Sequence, residues 1–125
     1  MAHQSRLAGL IIDCQDTPAA EGARFWAAAL GLQAQPPHAE DGAEYAELGG
    51  APAGLQVEVQ QVTHPSRVHL DIESDDIDAE ADRLEKLGAR RIGFVKRWWV
   101  MEAPTGHRFC IVRMRERAVQ ANHWP

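Results

Sequence analysis

The feature that most constrains this chain is an internal repeat. The first half opens with residues 7–32, and the second half opens with residues 67–89. Each segment consists of an apolar run, a short acidic connector, a helical pattern and a glycine. That order predicts a strand, a turn, a helix and a helix stop, twice over. The two halves are therefore predicted to be two copies of one structural module.

The helix boundaries are marked by residues suited to helix ends. In the first half Thr17 is the predicted N-cap, Pro18 the first helical residue and Gly31 the stop, which puts proline and glycine where each is tolerated best. The second helix is predicted to begin within residues 74–76, whose side chains can accept hydrogen bonds from free amide groups, and to end at Gly88.

Three strand-like runs follow each helix. In the first half they are residues 32–35, 44–48 and 55–62; in the second they are residues 91–95, 98–103 and 107–112. The linkers between the first three are rich in turn residues. The predicted fold class is α+β, with the order βαβββ occurring twice.

Size and composition restrict the function. The 125 residues predict one domain with its own core. A net charge of -5 and the lack of a long basic stretch argue against a nucleic-acid partner. The two cysteines, Cys14 and Cys110, form no disulfide framework. Residues 7–12 are too short for a secretion signal and no run is long enough to cross a membrane, so we expect a cytoplasmic protein.

Alternation along the strands separates two faces of the predicted sheets. One set is apolar and is expected beneath the helices: Ala8, Leu10, Ile12, Leu55, Val57, Val59, Val68, Leu70, Ile72, Phe109 and Ile111. The other set is largely polar: Leu7, Gly9, Ile11, Asp13, Gln56, Glu58, Gln60, Arg67, His69, Asp71, Glu73, Arg108, Cys110 and Val112. A sheet face this polar in a small chain is either solvated or lines a cavity.

Two segments carry a resemblance to a known family. HLDIESDD opens the second module, and APTGHRFCIV forms a hairpin near its end. Together with the repeated βαβββ order, they resemble the vicinal oxygen chelate superfamily, which includes glyoxalase I, fosfomycin and bleomycin resistance proteins and extradiol dioxygenases. The resemblance covers residues 7–113 and is closest to its compact glyoxalase-like branch.

The resemblance implies an architecture. Each module is expected to curl into a half-barrel of mixed sheet around a ligand cavity, with the helices on the outer face. Module one is expected at about residues 7–62 and module two at about 67–113, within a single domain of residues 1–125. The tail, residues 114–125, lies outside the resemblance and is less patterned; we expect it to extend past the last strand and pack on a partner subunit. The resemblance also implies a homodimer.

Metal-using members of the superfamily draw their ligands from the first and last strands of each module. Carried over by motif, those positions are Gly9, Glu58, His69 and Cys110. Glycine has no side chain to offer, and a thiolate suits an oxygen-chelating site poorly. Only His69 and Glu58 remain as conventional ligands, so we expect no metal cofactor. If a divalent metal binds, these two residues are the expected ligands.

Seven residues are the candidate ligand-binding set: Tyr45, Glu58, His69, Trp98, Trp99, Arg108 and Cys110. Several have structural alternatives. His69 could simply hydrogen-bond Glu58 or Asp71, and Cys110 could be a small buried side chain instead of a reactive thiol. Consecutive strand residues point to opposite faces, so only one of Trp98 and Trp99 is expected at the cavity.

The expected function is the binding of a small aromatic or polar organic molecule in the sheet cavity, without the family metal centre. Aromatic walls with a few polar anchors are typical of such pockets. The alternative is a lyase, isomerase or dioxygenase of glyoxalase type, in which His69 and Glu58 bind a metal or act in acid-base catalysis. No catalytic residue is assigned beyond these two candidates.

Overall fold

The computed structural model describes residues 2–40, 42–115 and 120–125. That part of the chain contains two helices, α1 Ala19–Leu30 and α2 Ile77–Lys86. Its ten strands are β1 His3–Gln15, β2 Gln33–Ala34, β3 His38–Glu40, β4 Ala43–Gly49, β5 Gln56–Val62, β6 Arg67–Ser74, β7 Arg90–Val95, β8 Trp98–Glu102, β9 Arg108–Arg113 and β10 Asn122–Trp124. The predicted α+β order of two βαβββ modules is confirmed. The additions to it are the short strands β3 and β10.

The chain forms two compact units. The first unit comprises residues 9–69, and the second comprises the described residues up to Ala8 together with those from Leu70 onward. The boundaries fall within β1 and β6, so each of these strands contributes residues to both units. The expected module bounds, about residues 7–62 and 67–113, stay a prediction.

The first unit is a mixed sheet with α1 on one face. β1 runs parallel to β5, while β4 is antiparallel to both β5 and β2. The short strand β3 pairs antiparallel with β4, although its sequence predicted a turn. The core beneath α1 consists of Ile12, Cys14, Ala19, Ala23, Ala27, Ala46, Leu48, Val57 and Val59. Alternation along β1, β4 and β5 therefore predicted the buried side of this sheet correctly.

The N-terminus of α1 differs from its prediction. The N-cap is Pro18 rather than Thr17, whose hydroxyl instead donates to the Gln15 carbonyl at 2.9 Å. The Ala19 amide donates to Glu44 Oε1 at 2.8 Å, so a carboxylate from β4 caps the helix. A cap from a neighbouring strand cannot be deduced from the residues around the helix start. The C-terminal prediction is confirmed, since Gly31 closes α1 in the left-handed conformation with φ 71°.

The second unit repeats the arrangement. β6 runs parallel to β9, and β8 is antiparallel to β9 and β7. α2 begins at the predicted place, with the Asp76 side chain accepting from the Ala79 amide at 3.0 Å. Its core consists of Ile77, Ala81, Met101, Phe109 and Ile111.

Two residues of β6 do not lie where their alternation predicted. Val68 and Leu70 are 49% and 44% exposed, although Ile72, further along the same face, packs against the core of α2. α2 makes its main contacts with β7, β8 and β9. The helix therefore covers the end of β6 at Ile72 and leaves the two earlier apolar side chains uncovered.

The C-terminal strand returns to the start of the chain. β10 pairs antiparallel with the first residues of β1, with His3 opposite Trp124 and Ser5 opposite Asn122. Trp124 Nε1 donates to Ser5 Oγ at 2.8 Å. This part of the tail thus packs on its own chain, and packing of the tail on a partner subunit stays a prediction. Residues 116–119 of the predicted tail lie outside the described residues.

None of the helices in the described ranges is long and apolar enough to span a membrane.

Candidate functional site

The polar face of the first unit lies on the side of the sheet opposite α1. Strand register places neighbouring side chains on the same face. Glu58 is paired with Ile11 and with Glu47, and Gln60 is paired with Asp13 and with Tyr45. Ala46 and Leu48, which alternate with Tyr45 and Glu47, are buried beneath α1. Tyr45 and Glu47 therefore lie on the side of β4 that faces away from α1.

The side chains of this face contact one another. Gln60 Nε2 donates to the Tyr45 hydroxyl at 3.4 Å, and the Tyr45 ring stacks on His38 with ring centroids 5.7 Å apart. Glu47 and Glu58 face each other across the strand pair, an arrangement that is unfavourable for like charges. Gln56 Nε2 donates to both carboxylates, at 3.1 Å to Glu47 and 3.3 Å to Glu58. The amide of Gln56 thereby offsets part of that repulsion.

His69 forms its described hydrogen bond with an aspartate that sequence reasoning did not single out. His69 Nδ1 lies 2.8 Å from Asp13 Oδ2, and Arg67 Nε lies 3.8 Å from the same oxygen. The Asp13 residue is 2% exposed, whereas the His69 side chain is 15% exposed. The sequence offered Glu58 or Asp71 as the partner of His69, because both lie on strands of the polar face. Only the folded sheet shows that Asp13 is within hydrogen-bonding distance.

Asp13 has a second unusual feature. Its Oδ1 atom is buried and has no hydrogen-bond partner among residues 2–40, 42–115 and 120–125. A buried acceptor without a partner costs about 1–3 kcal/mol. Such atoms are uncommon in folded proteins, and a catalytic role is one of the explanations for them.

The corresponding face of the second unit carries Cys110 and Arg108. Cys110 is paired with Asp71 on β6 and with Val100 on β8, and Arg108 is paired with Glu102. Arg108 Nε lies 3.5 Å from Glu102 Oε2. The pKa of Glu102 is lowered, mainly by its hydrogen bond with Arg90 and to a smaller extent by Arg108. Arg108 thus has an acidic partner within its own unit.

The side chains of Trp98 and Trp99 lie on opposite faces of β8, as alternation along a strand requires. Trp99 is paired with Ile111 and packs against the core beneath α2. Its indole nitrogen donates to Asp78 Oδ1 at 2.8 Å, and the Arg91 guanidinium lies 4.5 Å from the centre of its ring. Trp98, one residue earlier on β8, therefore belongs to the face that carries Cys110.

A group of metal-ligand side chains occurs along β6 and β9. His69, Asp71 and Cys110 are half-buried, and one ligand atom of each lies within 4.8 Å of the other two. Nitrogen, oxygen and sulfur donors together form a set that zinc accepts, whereas calcium and magnesium favour oxygen alone. These residues would fit a zinc-type ion. Glu58, the other expected ligand, is not part of a metal-ligand group among the described residues.

A separate depression of about 360 Å³ lies in the second unit. It is lined by Ser74, Asp75, Arg113, Met114 and Arg115. None of the residues that the sequence singled out as ligand-binding lines this depression.

The sequence of this chain matches the model of a known protein family. A family model described as a glyoxalase-like domain matches residues 9–112. No curated protein sequence matches the chain.

Several solved structures resemble it. A Streptomyces coelicolor methylmalonyl-CoA epimerase variant in complex with 2-nitronate-propionyl-CoA has a TM-score of 0.65 and 16% identity, over 94% of this chain and 99% of that chain. Methylmalonyl-CoA epimerase from Mycobacterium tuberculosis has a TM-score of 0.63 and 16% identity, over 88% of each chain. A hypothetical protein from Bacillus halodurans has a TM-score of 0.65 and 14% identity, over 93% and 99%. At such identities these likenesses show the fold alone.

Proposed function

Because the chain belongs to the glyoxalase-like domain family of the vicinal oxygen chelate superfamily, we propose that it binds a small organic molecule, aromatic or polar, at the polar face of the first unit. Binding at this face needs no metal ion. The polar anchors are Glu58 and His69, and the ring of Tyr45 supplies an apolar surface.

The observation that carries this proposal is a row of half-buried polar side chains in the first unit. Tyr45, Glu58 and Gln60 are neither fully exposed nor packed beneath the helix. Small-molecule sites combine apolar and aromatic surface with a few polar groups held in place. Here hydrogen bonds hold the polar groups in place, Glu58 through Gln56 and His69 through Asp13.

Thermal-shift screening tests the proposal directly. The purified chain is screened against aromatic and peptide-like compounds in the presence of a chelator. A ligand that binds only the folded state raises the melting temperature, and the rise grows with the logarithm of the ligand concentration above its Kd. We expect at least one class of compound to stabilise the chain. His69→Ala and Tyr45→Ala should each weaken the affinity for that compound by at least about tenfold, because each variant loses one good polar or aromatic contact.

His123→Ala is the matched control, because that imidazole is exposed on β10. It should bind the same compound as tightly as the parent chain. If no compound class stabilises a folded sample, or if His123→Ala weakens binding as much as His69→Ala, the proposed site is wrong.

A second candidate function is a glyoxalase-type enzyme, a lyase, isomerase or dioxygenase. It is favoured by the nitrogen, oxygen and sulfur donors of His69, Asp71 and Cys110, whose ligand atoms lie within 4.8 Å of one another. A metal held there could polarise a substrate oxygen when bound. In that role Asp13 would orient His69 from outside the ligand shell, as carboxylates commonly do for metal-binding histidines.

Metal analysis separates the two functions. The chain is purified without chelator and its zinc, nickel, iron and manganese contents are measured. A stoichiometric metal that is lost in both His69→Ala and Cys110→Ser would favour the enzyme and contradict metal-free binding. Methylmalonyl-CoA belongs in the substrate panel, because epimerases named for it share this fold. Activity that survives chelation but is lost in His69→Ala would indicate acid-base catalysis without metal.

We further propose that the chain works as a homodimer in the cytoplasm. Exposed apolar side chains on α1, Phe25 and Leu30, support self-association. Light scattering coupled to size-exclusion chromatography measures the oligomeric state, and a monomer at micromolar concentration would contradict the dimer.

A further inference from the structure

We propose that Asp13 is a positioning residue that fixes the tautomer of His69, so that the site takes molecules that present a proton-donating group to the Nε2 atom of His69. This inference rests on the proposed binding function of the polar face. Asp13 itself need not touch the bound molecule.

The geometry defines the tautomer. Asp13 Oδ2 lies 2.8 Å from His69 Nδ1. An ionised carboxylate can only accept hydrogen bonds, so the proton between these atoms belongs to Nδ1. In the neutral ring a proton on Nδ1 leaves Nε2 as the acceptor. Whatever His69 Nε2 contacts in this state, it contacts as an acceptor.

Burial of Asp13 strengthens its hydrogen bond with His69. Asp13 is 2% exposed, so water competes little for its carboxylate, and Arg67 Nε at 3.8 Å adds a favourable positive charge. Hydrogen bonds to charged groups are stronger in such surroundings than in water. The His69 side chain, at 15% exposed, is more accessible than its partner. The aspartate is therefore placed to hold the ring, and the ring is placed to meet a ligand.

The buried Oδ1 atom is an independent observation. Among the described residues it has no hydrogen-bond partner, and the cost of burying such an acceptor would be avoided by an apolar residue of similar size. Its neighbours Ile11 and Ile12 show that apolar side chains fit in this part of β1. A carboxylate that serves only packing is therefore poorly explained here. Orientation of His69 through Oδ2 gives this carboxylate a role that an apolar side chain could not fill.

The tautomer selects the class of ligand. An acceptor nitrogen favours phenols, enols, alcohols, amides with a free N–H, or carbon acids that can transfer a proton to it. A site arranged to accept from a donor discriminates strongly against the analogue that lacks the donor. Molecules with only acceptor groups, such as ethers, should bind weakly.

The tautomer can be measured without any ligand. Long-range proton–nitrogen NMR correlation at alkaline pH distinguishes a ring protonated at Nδ1 from one protonated at Nε2, and His69→Ala assigns the signal. We expect the Nδ1-protonated form in the parent chain and a shift toward the other tautomer in Asp13→Ala. His107 and His123 serve as internal controls that should not change. A His69 ring protonated at Nε2 in the parent chain would overturn the proposal, and this result does not depend on whether Asp13→Ala folds. If Asp13→Ala folds, an unchanged His69 tautomer in that variant would also overturn it.

The ligand class is tested with phenol and its methyl ether, anisole. Phenol should shift the His69 Nε2 resonance and anisole should not. An equal shift from both probes, or no shift from either, would overturn the ligand class. Because the tautomer measurement uses no ligand, its result stands apart from the compound screen. A failed screen with an Nδ1-protonated His69 would refute the binding function alone.

Discussion

Arg83 holds the Glu80 carboxylate through two hydrogen bonds, from Nε to Oε1 and from Nη2 to Oε2, each 2.8 Å long. Glu80 is fully buried, and His3 Nε2 lies 2.8 Å from Oε1. The Arg83 guanidinium also lies 3.8 Å from the centre of the Trp124 ring. This carboxylate thus joins α2 to the first strand, and its arginine contacts the last strand.

Glu80→Gln should make the chain less stable and less sensitive to acid. Burial alone would raise the pKa of Glu80, but hydrogen bonds from Arg83, His3 and Ser5 outweigh it and lower the pKa to about 2. The stabilisation is complete above the ordinary pKa of 4.5 and is lost as pH falls toward 2. A shift of this size corresponds to about 3 kcal/mol.

Urea unfolding measured across that pH range checks the expectation. The parent chain should lose free energy of unfolding as the solution is acidified, and Glu80→Gln should lose less. At neutral pH the variant should be about 2 kcal/mol less stable than the parent chain. This loss is smaller than the value from the pKa shift, because the Arg83 side chain keeps partial access to water. Glu21→Gln, at an exposed position on α1, is the control. Equal acid sensitivity in the parent and Glu80→Gln would contradict this account.

Glu44→Ala should destabilise α1, whereas Thr17→Ala should not. The Ala19 amide donates to the Glu44 carboxylate, and a negative charge at a helix N-terminus adds a favourable interaction with the helix dipole. We expect a loss of about 1 kcal/mol for Glu44→Ala and less than about 0.5 kcal/mol for Thr17→Ala. Chemical denaturation of both variants measures the difference. The reverse order would restore Thr17 as the cap.

Gly22→Ala should be destabilising despite the higher helix propensity of alanine. A methyl group at Gly22 would lie 2.9 Å from Val59 Cγ1 and 3.0 Å from Cys14 Sγ. Overpacking of this kind typically costs about 1–3 kcal/mol, more than the gain of about 1 kcal/mol from propensity. Gly93→Ala is the control, since nothing lies within 4 Å of the added methyl group there. A melting temperature of Gly22→Ala equal to or above that of the parent would show that α1 can move away from the sheet.

The two thiols should differ in reactivity. Cys14 is buried, and burial, together with the charge of Asp13, raises the pKa of its thiol. Cys110 is half-buried. A thiol reagent at neutral pH should modify Cys110 at least about tenfold faster than Cys14, because the thiolate is the reactive form. Rapid modification that persists in Cys110→Ser would contradict this order.

Much of the fold could be predicted from local patterns. Asp76 caps the start of the second helix and Gly31 caps the end of the first, at positions that the sequence predicted. The side of β4 and β5 that meets α1 was also predicted, because alternation is a property of each strand alone. The prediction that Val68 and Leu70 lie beneath a helix was wrong, because burial depends on more than alternation along one strand. Whether a helix is long enough to cover a strand end depends on packing rather than on periodicity.

The candidate site was predictable only as a set of residues. Alternation put Asp13 and His69 on polar faces, but 56 positions separate them and no spacing rule relates them. Likewise Glu44 lies 25 residues from the amide that it caps, and Trp124 lies 119 residues from the serine to which it donates. Contacts of this kind arise when strands are brought side by side.

The sequence by itself therefore determined the family, the repeated βαβββ order and the faces of most strands, since these depend on motifs and on residue spacing within one element. Tertiary structure decided which residues meet. It gave His69 a buried carboxylate as its partner and placed Trp99 against α2. It also grouped Asp71 with Cys110, because strand register is set by packing of the whole sheet.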